Sequence, residues 1–343
     1  MDCLKEKMDL RKRTGHNKRM SQNQTKKEAL FNEVKGSLFE YLMARRISQL
    51  AGDELKFLET LDKNYLHVLS QQDRMVRQFY PEMLTFLNQV SELSVQELIQ
   101  FLGEVPRNPV LRGKFETIDE ADLMLDSSHG IIPLSLKLNK KNAYVNTKSG
   151  GIKSFFEHYF PFINPETQQN FNRFVDQEFT RMAHELHALN DMEFSGNFLA
   201  WVKMGKSELP GELATEERMI LKTFYSRIAT DIHRILTLAQ QTHPKEFCAS
   251  LPALLGFSTP EILQLVCFHD FKSSGTASVT IHPYSEVEKG LKDAHLAPFT
   301  QTSSVEIHLG SWSLQIRVKP MNKFTTTAIK INCSVRFRPS EGT

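Results

Sequence analysis

Along this 343-residue chain the spacing of apolar residues switches between helical and strand-like more than once, and that succession restricts the fold more than any single motif does. Between about Lys27 and Asp53, residues Leu30, Val34, Leu38, Leu42 and Ile47 recur at the spacing of one helix face. The run 56–80 predicts a second helix, and Pro81 stands where proline opens a third. Ser94-Val-Gln-Glu97 reads as a capping box for a further short helix that Gly103 closes. At Val105-Pro-Arg-Asn-Pro109 the pattern breaks. Short runs of β character follow at 122–125, 131–138 and 143–146, separated by the turns 126–130 and 139–142. Thr147-Lys-Ser-Gly-Gly151 reads as a flexible connection. Residues 156–265 return to the helical period. From about Lys272 strict alternation takes over, with Ile329, Ile331, Cys333, Val335 and Phe337 on one face and Lys330, Asn332, Ser334, Arg336 and Arg338 on the other.

The economical architecture for this pattern is α/β (α+β). A central mixed sheet draws strands from both the 120–147 region and the C-terminal region, with helices on its flanks. The chain then divides into a basic flexible leader (1–28), N-terminal helices with a core hairpin (29–155), a helical insertion (156–265) and a β-rich part completing the sheet (266–343). With 40% hydrophobic residues, a sizeable core needs no disulfide support. Cys3, Cys248, Cys267 and Cys333 are too scattered for a zinc cluster and suit free thiols. No run is long and apolar enough for a membrane span and the charged N-terminus lacks a secretory h-region, so the expected location is cytoplasmic. A net charge of +2 is not that of a nucleic-acid coat, yet residues 5–27 hold nine Lys or Arg against Glu6 and Asp9. That leader reads either as a solvated tail or as a phosphate-contacting arm.

Chemistry concentrates in Asp122–Lys137, read as a hairpin with an acid at the start of its first strand and a lysine on its second. Alternation puts Ser135 and Lys137 on one side of that second strand, while Leu136 points into the core and leaves its carbonyl as an oxygen donor. Asp126 has the parity of Asp122 but falls in the turn, which makes it the reserve ligand. Upstream, Gly36-Ser-Leu-Phe-Glu40 places a further acid on the first helix. Carboxylates and a lysine on rigid elements suit metal-assisted phosphodiester hydrolysis, in which a hard cation prefers oxygen ligands. Taken singly, each of these residues is better read as an ordinary surface or turn residue. His184-Glu-Leu-His187 lacks the zincin spacing, because Ala188 stands where the second histidine would be, and core or surface histidines are the expectation there.

This order of residues resembles the restriction-endonuclease-like nucleases of the PD-(D/E)xK type, over roughly residues 29–160. Gly36–Glu40 matches the helix element, Ala121-Asp122-Leu-Met-Leu125 the first acid without its usual preceding proline, and Leu134-Ser135-Leu136-Lys137 the last element with serine replacing the acid. The resemblance implies a Mg²⁺- or Mn²⁺-dependent DNA endonuclease of the restriction type. Asp122, Glu40 and the Leu136 carbonyl would hold the metal. Lys137 would orient water and stabilise phosphate charge, and Ser135 would add a hydrogen bond. It further implies double-stranded DNA as substrate, a homodimer and a cognate methyltransferase as companion. The alternative is a catalytically decayed nuclease fold that binds DNA or assists assembly. Lys148 and Lys153 around a Gly-rich turn, and Arg317, Lys319 and Lys330 on the C-terminal strands, are the candidate phosphate contacts. Each has an equally good reading as part of a solvated face.

Overall fold

A computed structural model describes residues 34–112, 118, 120–270 and 275–337; the basic leader and Arg338 lie outside them. In chain order the elements begin with α1 (34–51), α2 (Glu54–Thr60), α3 (Lys63–Phe79) and α4 (Pro81–Leu102), followed by β1 (Arg107–Leu111), β2 (Leu123–Ser127) and β3 (Gly130–Lys140). Next come β4 (Val145–Gly151), α5 (Phe155–Tyr159), α6 (Pro165–Ala188), α7 (Leu199–Lys203), α8 (Thr215–Thr242) and α9 (Pro244–Leu254). Strands β5 (Leu263–Asp270) and β6 (Thr276–Pro283), helix α10 (Tyr284–Leu291), and strands β7 (His295–Leu296), β8 (Ser304–Leu309), β9 (Trp312–Pro320) and β10 (Ile329–Phe337) complete the chain. The fold is α/β. It divides into two compact units, each discontinuous in sequence: residues up to Lys141 with Leu263–Ile281, and Asn142–Ile262 with His282 onward.

The first unit carries a mixed sheet in the order β1-β2-β3-β5-β6. Strands β1, β2 and β3 are antiparallel neighbours, and β3 pairs in parallel with β5. A parallel pair cannot be closed by a tight turn; here the whole of residues 142–262 serves as the connection. The β2–β3 hairpin closes over Ser128-His129, with Ser127 opposite Gly130 at φ 115°, a backbone conformation only glycine adopts freely. Glu104 steadies the turn by accepting from the Ser128 N–H and hydroxyl, both at 2.7 Å. Phe39, Met43 and Ile47 of α1 and Phe86, Leu87 and Val90 of α4 pack with Leu123, Leu125, Leu134, Leu136 and Leu265 in one apolar core.

Several local expectations shift. The run 56–80 is two helices, because Asp62 caps α3 by accepting the Tyr65 N–H at 2.7 Å. Ser94 starts no helix: α4 runs unbroken from Pro81 to Gly103, and Ser94 is buried inside it. A continuous buried face outweighs the local capping signal. Pro109 lies within β1, at the edge of the sheet, where a missing N–H costs no ladder bond. The helical insertion ends before 265, since β5 begins at Leu263.

The second unit holds an antiparallel sheet in the order β4-β10-β9-β8-β7. Leu314, Ile316, Val318, Ile329, Ile331, Cys333 and Val335 line its inner face, all 4% exposed or less. Helices α6 and α8 pack together, and α8 reaches β7, β8 and β9. The expectation of one sheet uniting the 120–147 strands with the C-terminal strands is therefore corrected: β5 and β6 complete the first sheet, while β7 to β10 build a second with β4. Alternation identifies a strand but does not name its neighbour. Thr147–Gly151 is correspondingly not a flexible connection. It belongs to β4 and is laddered to β10, with Lys330 opposite Gly151 and Asn332 opposite Ser149. No helix among the described residues is long and apolar enough to cross a membrane.

Candidate active site

Asp122 sits immediately before β2 and is 6% exposed. Its backbone is held from both sides: its N–H donates to the Leu134 carbonyl (2.9 Å), and its carbonyl accepts from the Arg112 N–H (3.0 Å). Its carboxylate Oδ2 accepts the Leu136 N–H at 2.7 Å, so the side chain takes up the hydrogen-bonding edge of β3 where β2 has not yet begun. The same oxygen lies 3.5 Å from Lys137 Nζ, and Oδ1 lies 3.7 Å from Arg112 Nη1. Asp122 is thus a fixed, buried anion between two cations.

Glu40 enters from α1. Burial, reinforced by the negative charge of Asp122 and opposed by Lys137 and Arg112, pushes its carboxyl up to about 7. Like charges that share a poorly hydrated site disfavour each other's ionised forms. Tyr65 of α3 borders the same place: burial first, then the charges of Glu40 and Tyr41, push its phenol up to about 12. The structure therefore brings Glu40, Asp122 and Lys137 into one electrostatic cluster. It also adds Arg112 and Tyr65, which the sequence reading passed over. Arg112 follows a short strand that the Pro-rich break concealed, and Tyr65 lies in a helix read only for its apolar face.

Other candidates fall differently. Ser135 is 1% exposed on β3, with the equally buried Gln264 of β5 as its register partner. Leu136 sends its side chain into the core and touches Asp122 through its N–H. Asp126 does not serve as a reserve ligand; it stands at the far end of β2 and accepts from Asn108 Nδ2 at 2.7 Å. Among the described residues no group of three or more His, Cys, Asp or Glu side chains is arranged to hold a metal ion. Two carboxylates nevertheless suit Mg²⁺, which commonly takes one or two from a protein and fills its shell with water and substrate oxygens. The mutual repulsion of Glu40 and Asp122 is what a divalent cation would relieve. His187, fully buried, packs against Phe194, Phe198 and Trp201, and is a core histidine.

The five candidate phosphate contacts separate in the second unit. Lys153 pairs with Asp176 at 2.7 Å. Lys148 stands opposite Cys333, on the side of the sheet whose neighbours are buried, and does not join the others. Arg317, Lys319 and Lys330 do share the outer face, with Lys319 directly opposite Lys330 and Arg317 opposite Asn332. Comparison with protein-family models, with curated proteins and with solved structures returned no match to this chain, so its reading rests on its own geometry.

Proposed function

We propose that this protein is a Mg²⁺- or Mn²⁺-dependent DNA endonuclease, built on a restriction-endonuclease-like core, with its active site at Glu40, Asp122 and Lys137. One observation carries the reading: an acid from a helix, an acid preceding a strand and a lysine from the next strand, distant in sequence, meet in a single charged cluster. A bound Mg²⁺ or Mn²⁺ would polarise the scissile phosphodiester and lower the pKa of an attacking water. Asp122 and Glu40 would hold that ion. Asp122 is already oriented by the Leu136 N–H and needs little reorganisation to do so. Lys137, 3.5 Å from Asp122 Oδ2, would stabilise negative charge developing on the phosphate. Arg112, 58% exposed at its side chain, would contact an incoming phosphate oxygen.

Cleavage of mixed duplex, single-stranded and modified DNA tests the proposal in Mg²⁺ and in chelator. Wild type should cut only with the metal. Asp122→Ala and Lys137→Ala should each lower the rate by at least about 100-fold, the scale of losing one well-placed charge-stabilising group. Cleavage that survives both substitutions would refute the site. The second reading is a decayed nuclease that binds DNA without cutting it. It draws on Ser135 standing where a further carboxylate is expected, and on the two-acid cluster. DNA binding by a wild type that never cleaves would favour it.

A further inference from the structure

We propose that the outer face of the second sheet is a docking surface for the phosphodiester backbone of a nucleic acid, with Arg317, Lys319 and Lys330 contacting successive phosphates. The nature of the ligand rests on the nuclease reading above; the site itself rests on β4, β9 and β10.

Register sets the geometry. Lys319 and Lys330 are directly opposed across β9 and β10, and Arg317, two residues from Lys319, projects from the same face. Like charges directly opposed on a sheet are destabilising, and among the described residues no carboxylate pairs with any of the three. A fold under no other constraint would place an acid opposite one of them. Lys319 is in addition partly desolvated. Burial first, then Lys330 and Arg317, hold its ammonium below the usual lysine range, which makes a bound anion more favourable still.

The ground beside the cations is polar and ordered. Ser149 donates to Asn332 Oδ1 at 3.0 Å, and Asn332 Nδ2 donates to Asn146 Oδ1 at 2.6 Å. A line of hydroxyl and amide groups thus runs from the cationic pair across β10 to β4. Such groups and Arg/Lys are the usual partners of phosphate and sugar oxygens, and they carry no base preference. A membrane-docking face would instead set basic residues beside exposed apolar groups that enter the lipid. Within β4, β9 and β10 no large apolar side chain is exposed, and the nearest, Met321, stands alone just past the end of β9.

The test is fluorescence anisotropy of the full chain on labelled duplex DNA in chelator, titrated over about 50–200 mM salt. It compares wild type with the triple variant Arg317→Gln, Lys319→Gln, Lys330→Gln. The variant should bind at least tenfold more weakly on every sequence. Its plot of log affinity against log salt should be shallower by about two to three, close to one for each lost phosphate contact. Its melting temperature should not fall, because repulsion has been removed. Unchanged affinity and slope, with a wild type that cleaves, would overturn the docking face and leave the nuclease reading intact. A wild type that neither binds nor cuts DNA would bring down both. Binding to phosphatidylserine vesicles that the triple variant loses, without DNA binding, would reassign the face to a membrane.

Discussion

Glu40 is the residue that most needs a purpose. A half-buried carboxyl beside a buried carboxylate, pushed up to about 7 by burial first and by that neighbour second, does nothing for stability that a glutamine would not do better. The unfavourable placement of an ionisable group in a polar cluster is what makes this cluster a candidate site. Its three principal members, Glu40, Asp122 and Lys137, were legible in the sequence because strand parity and helical spacing place them without knowledge of the tertiary fold. Arg112 and Tyr65 were not, because only long-range packing brings them there. His269, on β5, illustrates the opposite case of a titratable group with a structural cost. It is 5% exposed, edge-on to Phe86, and its Nδ1 has no hydrogen-bond partner. Burial, then the charges of Lys35 and Lys140, lowers its pKa from 6.5 to about 4. The folded state therefore binds fewer protons than the unfolded one between these values. The stability this provides is complete above pH 6.5 and lost as pH falls through 4, a loss of about 3 kcal/mol at most. Glu40, raised to about 7, acts in the opposite sense over this range, so the readout is the difference: between pH 7.5 and pH 5 urea titrations should show wild type faring worse than His269→Gln by about 1–2 kcal/mol, and equal changes in the two proteins would show that His269 contributes nothing.

Among the elements, those with one solvated face were readable and those without were not. Strands β8, β9 and β10 alternate because one side is wet, and their limits follow the pattern closely. Strand β5, Leu263-Gln-Leu-Val-Cys-Phe-His-Asp270, is buried along most of its length, so its apolar run carries no period and merged with the helices before it. Strand β4 ends in two glycines and resembled a linker until β10 supplied its ladder. Element packing also explains a glycine with an ordinary backbone. In α10, a Cβ on Gly290 would lie 2.9 Å from the Leu309 carbonyl oxygen and 3.2 Å from its carbon, contacts with backbone that no side-chain rotation can relieve. Gly290→Ala should therefore cost about 1–3 kcal/mol through forced displacement, although alanine ordinarily favours a helix. A thermal melt showing equal or greater stability would mean that α10 shifts at no cost.

At the scale of the whole molecule, two units with separate cores need not unfold together. Both tryptophans, Trp201 and Trp312, are buried in the second unit. Tryptophan fluorescence should thus follow that unit alone, whereas far-ultraviolet dichroism follows both. Guanidinium titrations read by the two signals should not coincide. Leu136→Ala, in the first unit, should move the dichroism and leave the fluorescence midpoint in place; coincident curves for both proteins would make the molecule one cooperative block. The sequence showed the interruption between β3 and the later strands but not that the inserted chain would take the C-terminal strands for its own sheet, since partner choice depends on contacts well over a hundred residues apart. That interruption has a consequence during synthesis. The edge of β3 that β5 will cover leaves the ribosome about 130 residues ahead of its partner, an interval of roughly 6–26 s at ordinary elongation rates. Throughout it the nascent chain exposes an unpaired, largely apolar ribbon, a template for mispairing with other chains, so production of this protein should depend on slow translation or chaperones more than its finished fold would indicate.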